Sequence, residues 1–171
     1  MKKLILSLCL LAGISFAVSA QKFAMVDMEY IMKNIPAYET ANEQLNQVSK
    51  KWQSEVEAQM QEVQTMYKNY QTELVFLSED MKTKREEEIV AKEKAAQELK
   101  RKYFGADGEL FKKRESLMKP IQDDVYTAIQ EISKEKDIEL VFDKSSSMNV
   151  IFTSPKLDIS DVVLEKLGFS K

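Results

Sequence analysis

Ala41–Leu77 reads ANEQLNQVSKKWQSEVEAQMQEVQTMYKNYQTELVFL. Its apolar residues Ala41, Leu45, Val48, Trp52, Val56, Met60, Val63, Tyr67, Tyr70, Leu74 and Leu77 recur three or four apart. Ten steps cover 36 residues, which is the period of a straight α-helix rather than a strict coiled-coil repeat. The run belongs to a longer one, Ala37 to Phe104, 68 residues with neither glycine nor proline. A helix over Ala41–Leu77 would reach roughly 55–60 Å at 1.5 Å per residue. It cannot bury its stripe against itself, so it needs a partner helix.

Downstream, Ser78-Glu79-Asp80 has the form of a helix start, a serine cap followed by acids in the first turn. A stripe returns at Ile89, Ala96, Leu99 and Tyr103, and Gly105-Ala106-Asp107-Gly108 interrupts it. It resumes through Leu110, Leu117, Ile121, Val125, Ala128 and Ile132, with Pro120 inside it, where a bend or restart is expected. Three short strands are expected, near 22–28, 138–143 and 149–153. Glu29–Asn34 reads as a turn or two of helix ended by Pro36. Asp158–Leu167 reads as a short helix closed by Gly168. The first strand has no sheet partner before residue 137, so the long segment must travel out and return. Charge agrees: Glu39–Leu77 carries six acids and three bases, whereas Lys82–Lys119 carries twelve bases and eight acids. Stripe continuity puts the tip of this hairpin at 78–80, and equal arm lengths put it at 86–88.

The fold expected is therefore α+β and mostly α: a small β body carrying a long antiparallel helical hairpin. Residues 1–20 read as a signal peptide. Lys2 and Lys3 precede the apolar run Leu4–Val18, and Val18-Ser19-Ala20 gives a cleavage site after Ala20. Residues 21–36 and 137–171 supply the two parts of the body. Residues 37–136 form the arm, with its tip within 78–88 and a flexible point at 105–108. The apolar run is too short to span a bilayer comfortably, so the mature chain is expected in the periplasm, not membrane-spanning, though contact with a membrane surface is left open.

Composition excludes much chemistry. The chain has no histidine, and its single cysteine, Cys9, lies in the leader, so no Ser-His-Asp or Cys-His arrangement is available. No glycine-rich phosphate loop exists. Glu86-Glu87-Glu88 is a solvated face rather than a cation site, because adjacent helical residues point apart. No enzyme, cofactor or metal is expected. Without Lys2 and Lys3, 23 basic residues face 28 acidic ones, which argues against nucleic acid as a partner.

Candidate contact residues are apolar side chains that miss the seam. Leu74 and Leu77 belong to the stripe, but Val75 and Phe76 project well away from it near the tip, where they either mark binding as uncovered apolar surface or pack the hairpin end or a neighbouring subunit. Phe104, Phe111 and Met118 stand seven apart and align if the helix survives Gly105–Gly108. Met66, with Met60 and Met81, adds adaptable side chains along the arms.

The order of these elements resembles the Skp/OmpH family of periplasmic chaperones. The resemblance is carried by VDMEYIM after the first strand, GELFKKR at 108–114, KPIQDDVY at 119–126, DIELVFD at 137–143 and the closing DISDVVLEKLG. It implies a jellyfish-like homotrimer whose arms enclose a cavity. There, unfolded outer-membrane proteins are held without ATP; the candidate contacts for them are the residues read above from the helical pattern, Leu74, Val75, Phe76, Leu77, Met66, Phe104, Phe111 and Met118. The acidic balance departs from the strongly basic members of that family, so capture by positive charge is expected only along the basic return arm. A structural or adaptor coiled coil of the envelope, without client holding, is the other reading.

Overall fold

A computed structural model describes residues 22–146 and 150–169; the leader expected at 1–20 lies outside them. Strand β1 (Phe23–Val26) pairs in parallel with β2 (Leu140–Asp143), Phe23 opposite Leu140 and Val26 opposite Asp143. The whole helical excursion is thus one crossover between two neighbouring strands, which satisfies the backbone groups that a lone β1 would strand. Asp27 ends β1 and caps α1 (Met28–Lys33), its carboxylate accepting from the Tyr30 N–H. Pro36 does not merely end α1. It occupies the first turn of α2 (Pro36–Glu73), where its missing N–H costs nothing.

Helix α2 has 38 residues, about 57 Å of reach. It tightens into a 3-10 turn at Leu74–Phe76, and Leu77 is extended. The Ser78 hydroxyl then accepts from the Met81 N–H to start α3 (Glu79–Phe104). The chain reverses where the stripe fades, at the early end of the expected interval, with α2 ending at Glu73 and the serine cap beginning the next helix.

The return is broken once. Helix α3 stops at Gly105 and α4 starts at Glu109, running to Lys136. Gly105 donates to the Arg101 carbonyl at 2.8 Å and Gly108 to the Gly105 carbonyl at 2.9 Å. A Cβ on Gly108 would sit 2.8–2.9 Å from three backbone atoms, one of them the Tyr103 carbonyl. The tight turn therefore needs a residue without a side chain. The restart expected at Pro120 does not occur: α4 runs through it. Packing of its buried face (Ile121, Val125, Ala128, Ile132) outweighs the local hydrogen bond that proline removes.

Those four residues meet Ala24, Val26, Ile31, Met32, Ile35 and Ala41 in one core, closed by Ile159, Val163 and Leu164 of the C-terminal segment. The short helix α5 (Ser160–Lys166) is stopped by Gly168 at φ 84°. The Gly168 N–H bonds the Glu165 carbonyl and the Phe169 N–H bonds the Leu164 carbonyl, the paired bonds of a Schellman close. Helix α5 is held to the strand ends by polar groups. Lys144 Nζ lies 2.7 Å from Asp158 and 3.5 Å from Asp27. The Ser160 hydroxyl takes the Asp27 N–H at 2.8 Å and donates to Asp158 at 2.6 Å. Asp143 receives the Met28 and Ser145 N–H groups.

The third strand expected at 149–153 is corrected. Asn149 lies outside the described residues, and residues 150–153 form no strand. Ile151 is fully exposed and Phe152 84% exposed, because no sheet edge in the single chain receives this segment. No helix of the described residues is long and apolar enough to cross a membrane.

Candidate functional site

The arm formed by α2 and α3 has two unlike flanks. The Trp52 indole stacks flat on Tyr103, ring centroids 4.7 Å apart and planes 6° from parallel. Val56, Ile89 and Ala96 are buried in the seam beside them. On one flank the helices are bridged by polar groups. The Tyr103 hydroxyl donates to Glu55 at 2.6 Å, Lys92 meets Glu62 at 2.7 Å, and Arg85 approaches Glu73 at 3.9 Å. The two ion pairs are partly exposed and worth little each, but with the part-buried Tyr103–Glu55 bond they occupy that side.

The other flank is open. Gln53, Val56, Met60 and Phe104 line a groove of about 270 Å³. Further out, Val63, Tyr67, Tyr70, Ile89 and Val90 line one of about 410 Å³. Tyr67 is 54% exposed and Val90 62%. The sequence stripe is thus wider than the seam. Val56, Val63 and Tyr70 turn inward, while Met60, Tyr67 and Leu74, seven residues apart, sit at the rim. Tyr70 donates to Glu86 across the outer groove; that hydrogen bond, helped by desolvation, pushes its phenol up to about 12. The hydroxyl stays protonated at any physiological pH and serves as a donor, not a base.

At the tip, Val75 and Phe76 are 81% and 85% exposed. They sit on a 3-10 turn that buries none of its residues, so two large apolar side chains stand almost uncovered among the described residues. Leu74 is partly exposed beside them, and Leu77 is half-buried against the hairpin end.

The remaining candidates are dispersed. Met66 is half-buried and, at 100° per residue, falls on the polar-bridged flank with Glu55, Glu62 and Glu73. Phe104 faces the open groove with Met60. Phe111 is exposed at the start of α4, and Met118 packs at the edge of the core beside Tyr38 and Arg114. The seven-residue alignment of Phe104, Phe111 and Met118 is therefore not realised, because the Gly105–Gly108 turn resets the helical phase. Val90 escaped the sequence reading: it follows stripe residue Ile89 and marks the groove only through its seven-residue spacing from Gln97 and Phe104. Among the described residues, no group of three or more Asp or Glu side chains is placed to hold a metal ion.

A family model described as "Outer membrane protein (OmpH-like)" matches residues 22–167. The chain belongs to the OmpH-like family. An uncharacterized protein of Aquifex aeolicus (strain VF5) is 29% identical over 167 residues, 98% of this chain and 96% of that one. A crystal structure from Caulobacter crescentus CB15, provisionally described as an outer membrane chaperone (OmpH-like), superposes with a TM-score of 0.69. It has 14% identity and covers 86% of this chain and 83% of the other, which supports the shared fold. The α+β hairpin architecture is thus the OmpH-like one, and membership supports a chaperone-type role.

Proposed function

We propose that this OmpH-like protein is an ATP-independent holdase of the periplasm that keeps unfolded outer-membrane proteins from aggregating. The observation that carries the reading is the pair Val75 and Phe76, more than four-fifths exposed at the end of an arm some 57 Å long. Uncovered apolar surface of this kind is a binding surface or an aggregation liability. Spread along the open flank through Met60, Tyr67 and Val90, it offers many weak contacts, which suit a client of no fixed shape. The adaptable thioethers of Met60 and Met81 fit the same use.

A homotrimer forming a cavity between three arms belongs to this proposal. Phe23, Leu140, Ile151 and Phe152 expose apolar surface on the body, and a two-stranded sheet is marginal by itself. Both are reasons for the body to be covered by further copies. Light scattering should give three times the mature mass.

The deciding test is aggregation of a urea-denatured β-barrel protein diluted into buffer without nucleotide. Suppression at near-stoichiometric trimer supports the holdase. No suppression at several-fold excess refutes it and leaves a structural envelope coiled coil.

A further inference from the structure

The open flank carries a charge pattern that the holdase reading does not use. On α3, Thr83, Val90, Gln97 and Phe104 fall on one line, seven residues apart. The line beside it is Glu79, Glu86, Glu93 and Lys100. The line on its other side is Asp80, Glu87, Lys94 and Arg101. Both flanking lines are acidic toward the tip and basic toward the body. Neither Lys100 nor Arg101 forms an ion pair among the described residues, although both border the groove with Met60 and Phe104. Asp80, at the far end, has no cation within reach among the described residues either.

The apolar rim has the spacing of a helix seam. Met60 and Tyr67 on α2, and Leu74 at the start of the 3-10 turn that follows it, repeat about every 10.5 Å. Same-face residues of an extended strand repeat about every 6.7 Å, so a strand fills only every second station. A helix with residues at seven-residue intervals fills each one, with charges on the flanking lines setting partner and orientation, as in coiled coils. The occupant that fits is therefore a helix, acidic where this flank is basic and basic where it is acidic.

We propose that the occupant is the same flank of a second copy, laid antiparallel about a two-fold axis at Val90, so that each tip points toward the other copy's body. In that register each flanking line faces its own line in reverse: Glu79 faces Lys100 of the second copy, Asp80 faces Arg101, and Glu87 faces Lys94, each pair occurring twice. Tyr67, which lines the groove opposite Val90, meets its own counterpart, and Met60 meets Leu74. Glu86 against Glu93 is the one like-charged contact. The parallel alternative sets the two lines against each other in step, Glu79 beside Asp80 and Glu86 beside Glu87 of the second copy, and is disfavoured by charge. The contact forms a four-helix bundle from two hairpins and covers the apolar flank when nothing else does. It needs nothing from the holdase reading and stands if that reading fails.

The test is light scattering of the full-length mature protein across a concentration series. The wild type is expected to show a species of twice the mass of the basal assembly. Lys100→Glu with Arg101→Glu should weaken that doubling about tenfold or more, and adding Glu79→Lys with Asp80→Lys should restore it. All four sites are exposed helix positions, so circular dichroism should not change. Cys9, the chain's only cysteine, lies in the expected leader, so the mature Val90→Cys variant carries a single thiol and should cross-link the doubled species on oxidation. Asn69→Cys, on the polar-bridged flank, should not. Doubling indifferent to the charge swap overturns the proposal, as does equal cross-linking at the two positions, a cross-link without doubled mass, or no doubling at any concentration.

Discussion

Trp52 lies flat against Tyr103, ring centroids 4.7 Å apart, and the Tyr103 hydroxyl reaches past it to Glu55 at 2.6 Å. This contact ties the outgoing helix to the last turn of the returning one, just before the Gly105–Gly108 break. It sets the register of the arm: with Trp52 opposite Tyr103, Glu62 falls opposite Lys92 and Glu73 opposite Arg85.

Trp52→Ala removes that stack from a half-buried site and should cost about 2–3 kcal/mol, below the range for fully buried aromatics. Tyr103→Phe keeps the ring and loses only the bond to Glu55, about 0.5–1.5 kcal/mol. Thermal melts followed by circular dichroism check both. Equal effects would show that the hydroxyl, not the stacking, holds the arm.

The clasp at the strand ends should be sensitive to acid. Burial alone raises the carboxyl of Asp158. Lys144 and the Ser160 hydroxyl and N–H outweigh it, so the folded value lies below the usual one. Asp143 is likewise lowered against its burial, by Ser145 and the Met28 N–H. Their stabilisation is complete above the unfolded value of about 3.9 and is lost as pH falls through the lower folded values. Lys144 is raised, first by its bond to Asp158, so its share is complete below about 10.5 and is lost as pH rises past the folded value. Asp158→Asn should cost about 1.5–3 kcal/mol at pH 7 and flatten the acid limb of a denaturation profile. An unchanged limb would remove Asp158 from the clasp.

Gly108→Ala forces a Cβ to within 3 Å of the Gly105 nitrogen and the Lys102 and Tyr103 carbonyls. Backbone must shift, so the melting temperature should fall by several degrees for each kcal/mol lost. Pro120→Ala should do the reverse, since proline inside a helix costs up to about 3 kcal/mol. A melt that moved the other way in either variant would contradict the described α4 or its start.

Val75→Ser with Phe76→Ser should leave the melting temperature within about 1 °C, because neither side chain is buried. In the aggregation assay the pair should lower suppression several-fold. Loss of the assembly by light scattering would make these residues packing between copies instead.

Much of this was legible in the chain itself. A stripe of mean period 3.6 without glycine or proline permits only helix. A first strand with no partner before residue 137 requires the chain to return, and Ser78-Glu79-Asp80 writes the tip as a local capping signal. Such features act over a few residues and need no tertiary context. Val150–Phe152 has the composition of a strand but forms none among the described residues, because a strand exists only where an edge receives it. Pro120 predicts a break that long-range packing of Ile121, Val125 and Ile132 overrides. Periodicity also could not say which stripe residues face the seam. Met60, Tyr67 and Leu74 share the stripe with Val56, Val63 and Tyr70, and only the rotation of α2 against α3 leaves the first set at the rim of an open groove. The sequence alone determined helices, their ends and the return of the chain, all local or topological necessities. The tertiary structure decided which apolar side chains stay uncovered, because that depends on how two long helices are turned against each other.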